Sequence, residues 1–418
     1  MFRTRRVAAT PLMGALCAAA LVVGLGVAPA LAEGRGSVHW VGAWTASPQG
    51  GGPGQDRPSF TNRTLRQIVH TSVGGDVVRV RLTNAHGTAP LVIGEARLAL
   101  RGSGAAIRPG TDRRLTFGGS RRVTIAAGTA VASDPTVLRV PEAADLAISL
   151  YVPGPTAAPT YHALSMQTNY TSPPGNHTRA TNMPVGETFC WTIPPRPCIT
   201  PWYFLAGVDV LQSTRVGAIV ALGDSLTDGD SSGDASAVDR NARWPDLLAR
   251  RLGEVGVLNA GIAGNRVLAD GAGDSALHRL DRDVLTQPGV RWVVLFEGIN
   301  DLYNGGTAGD LIAAYQQIIR RTHARGLPIH GVTLTPAGVT DSRESERLAV
   351  NAWIRTSGQF DAVVDFDAVV RDPANPAFPL PAFDGGDHLH FTVAGYQALA
   401  NSIDLSLFRS RATAGLGR

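Results

Sequence analysis

"VGAIVALGDSLTDG", residues 216–229, decides how the chain is read. Ile219, Val220, Ala221 and Leu222 make an uninterrupted apolar run, the pattern of a strand buried on both faces. The run stops at Gly223 and sets Ser225 between Asp224 and Leu226. Either the serine caps the helix that follows, or the turn presents a nucleophile at the end of a parallel strand, where open α/β sheets collect their functional groups.

Downstream the same rhythm returns. "VGVLNAG" (255–261), "RWVVLFEG" (291–298), "IHGVTLTP" (329–336) and "DAVVDF" (361–366) are further two-face strands. Helical spacing separates them. "WPDLLARRL" aligns Leu247, Leu248, Arg251 and Leu252, and "LIAAYQQIIRRTHARG" aligns Leu311, Ile312, Tyr315, Ile318 and Ile319 before stopping at Gly326. This alternation predicts a three-layer α/β/α domain with a parallel sheet over residues 215–410.

Upstream the period changes to two. In "DVVRVRLTN" Val78, Val80 and Leu82 alternate with Arg79 and Arg81; "RRVTIAAG", "DLAISLYVPG" and "YFLAGVDVL" read as strands too. Residues 37–210 are therefore expected to form an all-β sandwich of jelly-roll type. The join is expected near 207–215.

Residues 1–32 have the layout of a secretory signal: Arg3, Arg5 and Arg6, an apolar stretch from Leu12 to Val27, and Ala30-Leu31-Ala32 at a cleavage position. A membrane anchor is the rival reading, but the run is short and rich in Gly and Ala, whereas spanning takes about 20 apolar residues. The expectation is an exported, extracellular protein cut near Ala32, with no stable membrane anchor, and monomeric. Cys190 and Cys198, in "CWTIPPRPC", are expected to pair as a disulfide in that oxidising setting. Every basic residue is arginine, the net charge is +4, and no basic stripe interleaves with aromatics. Those features argue against a nucleic-acid partner. No Cys/His cluster has zinc spacing, so no metal is expected.

Four strand-end loops carry polar groups. Gly223-Asp224-Ser225-Leu226 is the first, residues 259–265 ("NAGIAGN") the second, and Glu297-Gly298-Ile299-Asn300-Asp301 the third. The fourth is "DGGDHLHFTVAGYQALA" (384–400), where Asp387 and His390 stand three apart just before a helix starting near Thr392. An aspartate one turn from a histidine can fix its tautomer and stabilise the imidazolium. Asp384 with His388 is an equally legible pairing.

In this order the blocks resemble the SGNH, or GDSL, hydrolases. "GDSL" at 223–226 corresponds to the family nucleophile block, "NAGIAG" at 259–264 to the glycine block, "GIND" at 298–301 to G-x-N-D, and "DHLH" at 387–390 to D-x-x-H. Trp244-Pro245 also fits, whereas Phe391 stands where the family often has proline. The resemblance spans about residues 215–408. It implies a carboxylic ester hydrolase without cofactor, with Ser225, His390 and Asp387 as the catalytic groups. The backbone N–H groups of Ser225 and Gly264 and the Asn300 amide are implied as the oxyanion hole. An ester is the expected partner, with acetylated carbohydrate first and longer-chain lipid second; a carbohydrate-binding protein with an inactive hydrolase domain is a third reading. Trp40, Trp44, Trp191, Trp202 and Tyr203 are candidates for stacking on sugar rings, although for any one of them a place in the sandwich core is the first reading.

Overall fold

The Val78/Val80/Leu82 alternation becomes the Gly75–Thr83 strand, with those three side chains fully buried. Arg79 and Arg81 lie on its other face, where both guanidinium groups donate to the buried Asp209 carboxylate. The computed structural model describes residues 37–51, 58–190, 199–232 and 234–409. The expected signal segment, Trp191 and Cys198, and with Cys198 the expected bridge to Cys190, lie outside the described residues. Ser37–Arg418 forms one compact unit.

Its first half is antiparallel. One five-stranded sheet runs Val38–Thr45, Leu205–Ser213, Gly75–Thr83, Ala130–Ala132, with Thr136–Val140 also paired to Gly75–Thr83. A second runs Tyr170–Thr171, Arg63–His70, Asp145–Val152, Glu95–Leu100, Arg113–Leu115. Val78, Val80 and Leu82 of the first share a core with Leu65, Val69, Leu146, Ile148 and Leu150 of the second.

The second half is a five-stranded parallel sheet in the order Gly256–Gly261, Ala218–Gly223, Val290–Phe296, Ile329–Val332, Ala362–Val364. In chain order this is 2-1-3-4-5. The crevice of such a sheet opens where the order reverses, at the carboxyl ends of the first and third strands. The two-face burial seen in the sequence has a direct cause. Val220 and Leu222 point into the core shared with the antiparallel half, while Ile219 and Ala221 point into a second core under Trp244, Leu247, Leu248, Tyr396 and Leu399. Each fully buried aliphatic side chain contributes about 2 kcal/mol. The helices Trp244–Leu252 and Ala308–His323 follow the predicted stripes, and Val393–Ser402, capped by Thr392, starts where a helix was expected. Ile312 and Leu252 are partly buried rather than fully so.

The halves also bond directly. Gly42 N–H donates to the Pro288 carbonyl at 2.8 Å, and Val257 N–H donates to Ser72 Oγ at 2.9 Å. The parallel sheet thus has part of its covering layer supplied by the antiparallel half.

Candidate active site

The turn after Gly223 is built by Asp224. Its side chain accepts from Leu226 N–H at 3.0 Å and caps the short helix Ser225–Asp228. The cap position therefore belongs to Asp224, and Ser225 is the first helical residue with its hydroxyl unspent on the backbone. The strand ends are pinned in register, Gly223 opposite Gly261 on one side and Phe296 on the other. Gly261 allows a close backbone approach: a Cβ there would lie 2.3 Å from the Asp228 nitrogen. This packs the loop after the second strand against the serine turn.

His390 arrives from the loop before the C-terminal helix. Its Nε2 lies 2.9 Å from Ser225 Oγ, and its Nδ1 lies 2.7 Å from Asp387 Oδ2. Asp387 Oδ1 accepts the backbone N–H groups of Leu389 and His390, at 3.1 and 2.9 Å. Nδ1 thus donates to a carboxylate and leaves the Nε2 lone pair facing the hydroxyl. Burial would push the Asp387 carboxyl up, but the His390 ring and amide and the Ser232 hydroxyl outweigh it and hold it well below the usual range. Ser225 and His390 are only 4% and 7% exposed. Asp230, also buried, sets a second carboxylate 3.7 Å from His390 Nε2. The rival pair forms too, with His388 Nδ1 2.6 Å from Asp384 Oδ2, but on an exposed loop with His388 stacked edge-on to Phe378.

The second and third blocks reach the same sheet edge. Gly264 has φ +77°, the left-handed region that favours glycine, and is exposed. Asn300 lies in the helix Ile299–Tyr303, directly after the third strand, and its Nδ2 donates to the Asn265 carbonyl at 2.9 Å. This fixes the amide plane and leaves its second N–H for a ligand.

Several supporting residues have no signature in the sequence. Arg279 is fully buried and donates to the carbonyls of Gly223 and Ala260, to Asn265 Oδ1 and to Ser47 Oγ. One side chain so ties the serine strand, the glycine loop and the antiparallel half together. Beside it Glu297 is pushed up to about 8, and Asp224 to about 7, in both cases by burial first. Asp270, Asp274 and His278 bring potential metal-ligand atoms within 4.8 Å of one another, but Ser275 N–H and Arg282 already engage those carboxylates. Phe391, at the position that departs from the family pattern, is fully buried against Tyr396.

The aromatic residues offered for sugar stacking are corrected in part. Trp44, Trp202 and Tyr203 are 4%, 1% and 7% exposed and belong to the core. Trp202 packs edge-on against Trp44 and donates its indole N–H to the Ile68 carbonyl. Trp40 is partly exposed and lies under the Arg79 guanidinium.

A hydroxyl, an imidazole and a carboxylate in hydrogen-bonded line at the switch point of a parallel sheet describe a serine hydrolase. Residues 221–398 match the family model of the GDSL-like lipase/acylhydrolase family. This region is a GDSL hydrolase domain, and the protein is an ester hydrolase. No curated protein matches the chain. Among solved structures, the GDSL domain is similar to an aryl esterase from M. smegmatis, with 18% identity, TM-score 0.37, covering 44% of this chain and 95% of that one. A carbohydrate acetylesterase from Sinorhizobium meliloti is similar at 15% identity and TM-score 0.37, over 44% and 95% of the two chains. A lipolytic G-D-S-L family protein from Veillonella parvula matches at 16% identity and TM-score 0.34, over 44% and 94%.

Proposed function

We propose that the GDSL domain hydrolyses short-chain carboxylic esters through a Ser225 acyl-enzyme, with an acetyl group on a carbohydrate hydroxyl as the first substrate to try. The observation that carries the chemistry is the 2.9 and 2.7 Å chain from Ser225 Oγ through His390 to Asp387. His390 Nε2 takes the hydroxyl proton as Oγ bonds to the ester carbonyl carbon. Charge passes to the carbonyl oxygen, which the N–H groups of Ser225 and Gly264 and the Asn300 amide receive, each contributing about 3–4 kcal/mol in the transition state. The imidazolium, held by Asp387, returns its proton to the departing alcohol. Water, deprotonated by the same nitrogen, then attacks the acyl carbon, and the imidazolium returns that proton to Ser225 Oγ as the acid departs. None of these steps uses a metal or organic cofactor.

The near-enclosure of both Ser225 and His390 supports a small acyl group. The carbohydrate part of the reading draws no support from Trp44, Trp202 or Tyr203, which are core residues. The mature protein is proposed to be extracellular, with Cys190 paired to Cys198. Among the described residues no helix is long and apolar enough to cross a membrane. A panel of p-nitrophenyl acetate, butyrate and octanoate, run beside acetate release from acetylated xylan, tests the substrate class. Highest kcat/KM on acetate with release from xylan supports it; a maximum on octanoate with none from xylan replaces it with a lipase.

A further inference from the structure

His162 belongs to the antiparallel half, yet it stands behind the nucleophile. It lies on the Tyr161–His162 strand, paired with Trp202–Tyr203, and is 2% exposed with the Trp202 ring alongside. Both ring nitrogens face acceptors. Nδ1 is 3.0 Å from the Ser47 carbonyl and Nε2 is 2.9 Å from Asp228 Oδ1. The Ser47 carbonyl can only accept, so Nδ1 carries a hydrogen; opposite an ionised Asp228 Nε2 carries one too, and the ring is then an imidazolium. Burial alone would favour the neutral ring; the Asp228 charge and hydrogen bond reverse that and raise its affinity for the proton.

Asp228 is the last residue of the Ser225–Asp228 helix and is 1% exposed. Its second oxygen, Oδ2, accepts the Ala263 N–H at 2.9 Å. Ala263 directly precedes Gly264. The Asn259 side chain braces the same junction, donating to the Thr227 carbonyl at 2.7 Å and accepting from Gly261 N–H at 2.9 Å. The carboxylate is therefore the link between the serine turn and the glycine loop, and among the described residues its ion-pair partner, His162, comes from the other half of the molecule.

We propose that His162 is a positioning residue for ester hydrolysis: its imidazolium holds Asp228 against the Ala263 amide and so sets the Gly264 N–H relative to Ser225. The antiparallel half then completes the active site instead of serving as a detachable appendage. The inference rests on the reading of Gly264 as an oxyanion donor. Without His162, Asp228 is a buried carboxylate whose Oδ1 has lost the hydrogen bond from Nε2. It relieves that state by taking up a proton or turning away, and either change weakens its hold on Ala263.

Steady-state kinetics on p-nitrophenyl acetate with the full chain test this. His162→Ala is expected to lower kcat roughly 10²-fold, the scale of an ångström-level misplacement, with KM little changed. Asp228→Asn is expected to do the same, and the double variant to be no worse than either single one, because both break one linkage. His162→Gln, whose amide N–H can still reach Asp228, is expected to recover most of kcat. Wild-type kcat in Asp228→Asn, multiplying losses in the double variant, a change confined to KM, or a His162→Gln no better than His162→Ala overturns the proposal. If His162→Ala does not fold, Asp228→Asn and His162→Gln decide alone: a lowered kcat in the first with near-normal kcat in the second supports it, and any other combination overturns it. Ser225→Ala run alongside separates the two readings. Activity in that variant would bring down the nucleophile itself, whereas an inactive Ser225→Ala with unimpaired Asp228→Asn brings down only the role of His162.

Discussion

His390 Nε2 stands 2.9 Å from Ser225 Oγ although 165 positions of sequence separate them. The contact depends on the C-terminal helix, whose Tyr396 and Leu399 are buried in the same core as Ile219 and Ala221 of the serine strand. Tyr396 also donates its hydroxyl to the Asp230 carbonyl at 2.6 Å, next to the serine turn. Packing of that helix thus sets the proton-transfer distance.

The Ser225→Ala variant is expected to lose ester hydrolysis and labelling by a fluorophosphonate while keeping the wild-type melting temperature. The hydroxyl bonds to His390 and its loss leaves only a methyl in place of a hydroxymethyl group. Near-normal turnover of p-nitrophenyl acetate would remove Ser225 from the mechanism.

Asp387→Asn keeps the shape but no longer favours the Nδ1–H tautomer. A fall in kcat of roughly 10³–10⁴-fold is expected. In the wild type the Asp387 carboxyl is held below its ordinary range by His390, so it stays ionised through mildly acidic pH. The acid limb of the kcat/KM profile should therefore be a single step belonging to an imidazole. A second step from a carboxyl near its ordinary value would contradict the assignment.

Asn300→Ala removes an amide already oriented by Asn265. A loss of roughly 10²–10³-fold in kcat with similar KM is expected for an oxyanion donor. If KM rises and kcat holds, Asn300 binds the ground state and has no special part in the transition state.

Arg279→Met should be costly to the fold. It strands the carbonyls of Gly223 and Ala260 and the Asn265 side chain, and leaves Asp283 and Glu297 without their shared cation. Breaking a buried network of this kind costs about 3–5 kcal/mol. Urea denaturation reads it directly; a change below about 1 kcal/mol would mean the network is dispensable.

Glu297 predicts a slope of stability with pH. Its carboxyl is raised to about 8 by burial, so between about 5 and 8 the folded chain keeps a proton that the unfolded chain has lost. Stability then falls as pH rises through that window. Glu297→Gln should flatten this fall in a series of melting temperatures; an unchanged slope would assign it elsewhere.

Much of the parallel half was legible because its cause is local. Runs such as Ile219–Leu222 are apolar at every position since both sheet faces are covered, and the Ala308–His323 helix shows its stripe since one side alone meets the core. The alternation at Val78, Val80 and Leu82 was equally plain. The aromatic residues were not. Nothing in the spacing of Trp44 and Trp202 tells a core edge-to-face pair from a sugar platform, because exposure is a property of what packs over a ring.

The chain's own order of residues determined the strand periods, the succession of the four polar blocks and the residue types able to move a proton. Spacing alone left Asp384–His388 as a rival to Asp387–His390, which both form close pairs, at 2.6 and 2.7 Å, within one short loop, and only the resemblance of residues 387–390 to the family block favoured the second. Tertiary packing made the choice by bringing His390 alone against the serine, and it recruited Arg279 and His162 to a site their local surroundings do not announce. Local patterns record burial and backbone conformation. A distance between groups a hundred or more positions apart is written only in how the layers close on one another.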